Sequence, residues 1–189
     1  MTDRYPQPKL DKLIDRLSVL IGAATATLEG DPTRVDNWYD EVARQLRRYH
    51  IAGFLSGADA KTLSEAAQKA VATDIRTQLK FLRQFKVEIQ DSAEWQRGWN
   101  ARAEMYARSI QTPYWRGATK MLPLPAMPGD GTSQCLTNCR CTWNVVPVDE
   151  EAGDYDAYWI YGATERHCQQ CKERQSQWAP VQIRGGVLQ

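Results

Sequence analysis

All five cysteines of this 189-residue chain lie between Cys135 and Cys171. They form two groups, Cys135-Leu-Thr-Asn-Cys139-Arg-Cys141 and His167-Cys168-Gln-Gln-Cys171. A tetrahedral zinc site takes about four soft ligands, usually delivered as two close pairs. Cys168-x-x-Cys171 is one such pair, because a tight turn aims both thiolates at one point. The partner pair must come from Cys135, Cys139 and Cys141. Cys135 and Cys139 have a ligand-like spacing, and Cys139 and Cys141 would share one side of a strand. The spacing leaves open which four of the five ligate. The surrounding segment is short and rich in Pro and Gly, so metal binding would supply folding free energy that it lacks otherwise. Structural zinc is the reading the pattern favours. Reduced buried thiols, disulfides in an oxidising setting and a redox Cys-x-x-Cys are its alternatives. His167 flanks Cys168 as a non-sulfur candidate. A catalytic zinc would need an open position and a general base, for which Glu165 is the near carboxylate.

The chain before the cysteines reads as a helical body. Residues 1–7 form an arm that Pro6 and Pro8 keep out of a helix. From Leu10 the apolar residues Leu13, Ile14, Leu17, Leu20, Ile21 and Ala24 recur at helical spacing, up to Gly30 as a C-terminal stop. Asp31-Pro32 opens a second helix with a stripe of Val35, Trp38, Tyr39, Val42, Leu46 and Tyr49, which Gly53-Phe-Leu-Ser-Gly57 ends or kinks. Thr62-Leu-Ser-Glu65 reads as the capping box of a third helix reaching Gln90. Asp91-Ser-Ala-Glu94 opens a fourth through Trp95, Trp99, Ala103, Tyr106 and Ile110, with a boundary or kink at Pro113.

Leu122-Pro-Leu-Pro-Ala-Met-Pro-Gly-Asp-Gly131 cannot be regular helix. It divides the chain into a helical body (1–121), a linker (122–134) and a cysteine-rich module (135–189). In that module Thr142–Val146 and Tyr155–Tyr161 read as strands, joined through Asp149-Glu-Glu and Gly153. A short helix follows Cys171, and a loose tail runs to Gln189. The expected class is mainly α: an elongated helical domain followed by a small, zinc-stapled, β-rich C-terminal module.

The net charge of +1 argues against a general basic field for nucleic acid. Arg44, Arg47 and Arg48, and Arg76, Lys80, Arg83 and Lys86, read as solvated helix faces, with contacts to DNA or an acidic partner as the alternative. No apolar run reaches the roughly 20 residues of a membrane span, and the first residues lack the order of a signal peptide. The expected compartment is therefore a cytosol. No phosphate-binding loop, dinucleotide fingerprint or His-Glu-x-x-His occurs. His50 reads as a helix-surface residue. Seven Trp and eight Tyr stand against three Phe, and Trp and Tyr are enriched at interfaces. Semi-exposed packing in a thin helical protein is the alternative reading of these aromatics; Trp95, Trp99, Tyr106, Tyr114 and Trp115 are the candidates if they form a partner surface.

Tyr114-Trp-Arg-Gly117, Leu122–Gly131, Gln134-Cys-Leu-Thr-Asn-Cys-Arg-Cys-Thr-Trp143 and Trp159-Ile-Tyr-Gly-Ala-Thr-Glu-Arg-His-Cys-Gln-Gln-Cys171 resemble the C-terminal part of tailed-bacteriophage minor head proteins related to the F protein of phage Mu. The likeness covers roughly residues 95–180, as a variant in which the Asn-Cys-Arg-Cys element precedes the Cys-x-x-Cys element. It implies a non-enzymatic structural component of the virion, working in head assembly beside the portal or major capsid protein. The protein would then occupy the capsid, after the host cytoplasm during assembly, in several copies. A zinc-ribbon-like adaptor for a protein or nucleic acid is the second reading. A phage-encoded enzyme without a recognisable base–nucleophile pair is the third.

Overall fold

The computed structural model describes residues 8–29, 31–92, 95–96, 98–162 and 167–189. Five helices come first: α1 (Pro8–Glu29), α2 (Val35–Ala58), α3 (Glu65–Gln90), α4 (Trp99–Arg108) and α5 (Gln111–Ala118). A four-stranded antiparallel sheet follows, in the order β1 (Thr142–Asp149), β2 (Asp154–Ile160), β3 (Val181–Arg184) and β4 (Val187–Leu188). A sixth helix, α6 (Gln169–Gln177), lies between β2 and β3. The chain is thus mainly α with a small β-rich C-terminal module, as the patterning predicts. No helix among the described residues is long and apolar enough to cross a membrane. Residues 1–7, Gly30 and Ala93-Glu94 lie outside the described residues, and with them the expected N-terminal arm, the stop of α1 and half of the second capping signal.

The helix α2 packs against α1, α3 and α5. Pro8 does not delay α1 but begins it, at the position where a missing N–H costs nothing. The Gly53–Gly57 segment is itself helical, and α2 ends one residue beyond it, at Ala58. These glycines let two helix backbones touch. A Cβ on Gly57 would stand 2.0 Å from the Tyr114 carbonyl oxygen, and one on Gly117 would stand 2.3 Å from that of Phe54. The cap of α3 is Ser64, not Thr62; its hydroxyl accepts from the Ala67 N–H at 3.2 Å. The expected fourth helix is two. The chain breaks at Ser109-Ile110, and Pro113 sits in the first turn of α5.

The aromatic residues expected on a partner surface are inside. Trp99, Tyr106, Tyr114 and Trp115 are all less than 10 % exposed. Phe85 of α3 joins three helices, meeting Trp38 edge-on at 5.5 Å, Trp99 edge-on at 6.0 Å and Tyr106 stacked at 6.4 Å. The half-buried Trp95 closes against Trp99 at 5.1 Å. Burial of such large side chains outweighs what their polar edges gain at a surface. In α2 the Trp38 indole donates to Thr25 Oγ1 at 3.1 Å. The expectation of an interface at Trp99, Tyr106, Tyr114 and Trp115 is corrected accordingly, while Trp95 is half-buried. His50 is likewise fully buried, not a surface residue.

The Pro/Gly-rich stretch is a strap laid on the protein. Ala126 and Met127 are buried, the Trp143 indole donates to the Ala126 carbonyl at 2.9 Å, and the Asp130 carboxylate accepts from the Met127 N–H at 2.8 Å. One buried apolar cluster runs from α1 through the strap to Trp143, Trp159 and Val181. The change at 122–134 is therefore one of secondary structure within a shared core. The segment read as a loose tail is the β3–β4 hairpin. Val181 and Ile183 face inward, and Gly185-Gly186 turn the chain with φ of 58° and 75°, values that suit glycine.

Candidate metal centre

Two short turns deliver the thiols. In the first, Cys135 precedes and Cys139 follows a 3-10 turn at Leu136–Asn138, with the Asn138 N–H on the Cys135 carbonyl at 2.8 Å. Cys141 comes immediately before β1. In the second, Cys168 caps α6 and Cys171 lies in its first turn, with the Cys171 N–H on the Cys168 carbonyl at 3.1 Å. The two turns are tied directly, since the Gln134 N–H donates to Gln170 Oε1 at 2.7 Å. Arg174 of α6 donates to the Thr132 hydroxyl at 2.8 Å. Gln111 Nε2 anchors the first turn to α5 by donating to the Thr137 carbonyl at 2.7 Å.

Close approach of β2's end to the cysteines is made possible by Gly162. A Cβ there would lie 1.9 Å from the Arg140 carbonyl oxygen, between Cys139 and Cys141. Behind the thiols, Trp143 and Trp159 stand opposite each other in the β1–β2 register and meet edge-on at 5.1 Å. Trp178 stacks on Trp143 at 5.6 Å, and the Arg174 guanidinium lies over the Trp159 and Trp178 rings.

All five cysteines are free thiols, with Cys139, Cys141 and Cys171 buried and Cys135 and Cys168 half-buried. Cys135 lies 3.9 Å from Cys168 and 4.0 Å from Cys171, and Cys168 lies 3.3 Å from Cys171, sulfur to sulfur. Cys139, Cys141 and Cys171 form a second triad with all sulfurs within 4.8 Å. These separations far exceed the roughly 2.05 Å of a disulfide. They bracket the edge of a tetrahedron with about 2.3 Å metal–sulfur bonds, about 3.8 Å. The cluster could hold a metal ion, and its all-sulfur donor set suits soft or borderline cations.

The protons within the cluster are shared unevenly. Cys139 is drawn down to about 6, chiefly because the Cys141 thiol donates to it, with the N–H groups of Cys141 and Gly129 adding to this against burial. Donating that bond, together with burial, pushes Cys141 strongly up. Burial also raises Cys135 and Cys171. Burial works the same way on Cys168, but the N–H and thiol of Cys171 outweigh it and leave this group low. A bound cation would take the place of these shared protons.

His167 does not join the thiols; its ring stacks on Tyr161 at 4.3 Å, and the groups that converge among the described residues are all cysteines. Glu165 lies outside the described residues. Spacing alone missed Gly129 and Gly162. Gly129 adopts a φ of 78°, and only the fold shows that its N–H reaches Cys139. No family model, curated protein or solved structure matches this chain.

Proposed function

We propose that this chain is a non-enzymatic structural protein whose C-terminal sheet is stapled by one zinc ion, and that it acts as a minor head component of a tailed phage. The observation that carries this reading is the convergence of five thiols from two distant turns onto one small volume. Four thiolates around zinc close its coordination shell, leaving no position for a reacting water, which is the signature of a structural site. The phage role rests on the resemblance, and the distribution of the resembling residues supports it. Gly117 seats α5 on α2, Gly129 lets the strap lie close against Gln111 of α5, Trp143 ties the strap to the sheet, and the Asn-Cys-Arg-Cys and Cys-x-x-Cys elements build the cluster. The partner in this reading is the portal or major capsid protein, in a multi-copy assembly within the virion.

A native mass spectrum before and after chelator tests the staple, with one zinc per chain expected. Co-expression with portal and major capsid proteins, followed by sedimentation of the heads, tests the role; a chain that stays in the supernatant counts against it. One observation favours the adaptor reading. Arg76, Lys80 and Arg83 are exposed on α3 beside the exposed Phe81. Salt-sensitive binding to duplex DNA without co-sedimentation would favour it over the head role.

A further inference from the structure

Five thiols compete for the four positions of a tetrahedral ion, and they are not equivalent. Cys171 belongs to both triads, the half-buried one with Cys135 and Cys168 and the buried one with Cys139 and Cys141. It is also anchored in a helix. Its sulfur is buried, and it lies in the first turn of α6, with its N–H on the Cys168 carbonyl at 3.1 Å. An ion seated in the half-buried triad draws its fourth bond from Cys139 or Cys141. An ion seated in the buried triad draws it from Cys135 or Cys168. Every ligand set built on a complete triad therefore contains Cys171 and leaves one thiol over.

We propose that Cys171 is the indispensable ligand of the site, and that the other four cysteines share three coordination positions, so that the centre carries one spare thiol. This rests on the metal-binding reading above. Removing any one of Cys135, Cys139, Cys141 or Cys168 leaves four thiols that include an intact triad. Removing Cys171 breaks both triads at once. The centre is thereby tolerant to loss of a peripheral thiol and intolerant to loss of the shared one. Such loss could come from oxidation of the half-buried Cys135 or Cys168, the two thiols that solvent reaches.

Five single Cys→Ser variants of the full chain decide this, with zinc and cobalt(II) as the probes. Zinc affinity is measured by competition with a chromophoric chelator. Sulfur-to-cobalt charge-transfer absorption reports how many thiolates bind. The four peripheral variants are expected to bind one ion with undiminished thiolate absorption and with affinity within about tenfold of the parent. Cys171→Ser is expected to lose more than roughly 100-fold, beyond the upper end of what outer-shell partners of a metal cost. Should Cys171→Ser not fold, the Cys139→Ser/Cys141→Ser double variant takes its place. It keeps one triad and is expected to show three thiolates on cobalt where the single variants show four. The proposal is overturned if Cys171→Ser binds zinc like the parent, if any peripheral variant loses a thiolate from the cobalt spectrum, or if the double variant, left with the Cys135–Cys168–Cys171 triad, puts fewer than three thiolates on cobalt. A parent chain that takes up neither ion overturns the metal-binding reading itself, an outcome distinct from all of these.

Discussion

His50 is fully buried. Its Nδ1 lies 2.8 Å from the Leu46 carbonyl oxygen, so that nitrogen carries the proton of a neutral ring. Nearby, the Ser109 hydroxyl uses its own proton on the Tyr106 carbonyl at 2.6 Å. Burial depresses the pKa to about 4, against an ordinary 6.5. The unfolded chain therefore binds a proton that the folded chain refuses between those values. Stability is complete above pH 6.5 and falls as the pH drops towards 4, by on the order of 3 kcal/mol. Urea unfolding across this window should show that slope, and His50→Gln should flatten it. At the same scale, Trp99→Ala should destabilise the isolated protein by about 3–5 kcal/mol, as a core truncation does; an unchanged denaturation midpoint would return Trp99 to a surface role. Gly162→Ala should displace Arg140 and with it Cys139 and Cys141. The expected result is weaker zinc uptake with an intact helical circular-dichroism signal.

Between elements, the α2–α5 crossing is the most demanding contact, because Gly57 and Gly117 each face a carbonyl oxygen of the other helix. Gly57→Ala or Gly117→Ala should cost at least about 2 kcal/mol, through overpacking that no rotamer change relieves; thermal denaturation measures it. This crossing also shows where the amino-acid sequence was legible and where it was not. Helices α1, α2 and α3 were readable because their apolar residues repeat at 3.6 and their polar faces stay wet. The extension of α2 past Gly53 was not, because an isolated helix loses stability at glycine and only the partner backbone reverses that preference. The aromatics of α4 and α5 were misread for a related reason: Trp and Tyr suit a surface and a core alike, and which one receives them depends on Phe85, in another helix. The β3–β4 hairpin carried a readable signal in the alternation of Val181 and Ile183 ahead of Gly185-Gly186. At the cluster, residue types and spacing pointed to the five thiols. Their division into two triads sharing Cys171 depends on how the two turns face each other, which spacing does not encode.

For the molecule as a whole, one apolar cluster joins the helices to the sheet, so the centre and the helical core should communicate. Zinc at about 1,000 times its dissociation constant should raise stability by about 4 kcal/mol. Chelation should abolish the near-ultraviolet dichroism of the Trp143–Trp159–Trp178 group while the far-ultraviolet helix signal persists; loss of both together would mean that the helices cannot stand without the ion. The separation of the two turns along the chain has a further consequence, in time. Cys135 and Cys171 meet across 36 positions, and β2 pairs with a strand beginning at Val181. Helices form from neighbours, whereas such distant pairings must first meet the entropy of closing a loop. As the chain leaves the ribosome, N-terminal segments first, the helical core can assemble while the first three cysteines still lack their partners. The segment that carries Cys168 and Cys171 emerges after the other three thiols and closes the centre, so a nascent chain halted before it would present a finished helical body and an open, unclasped set of thiols.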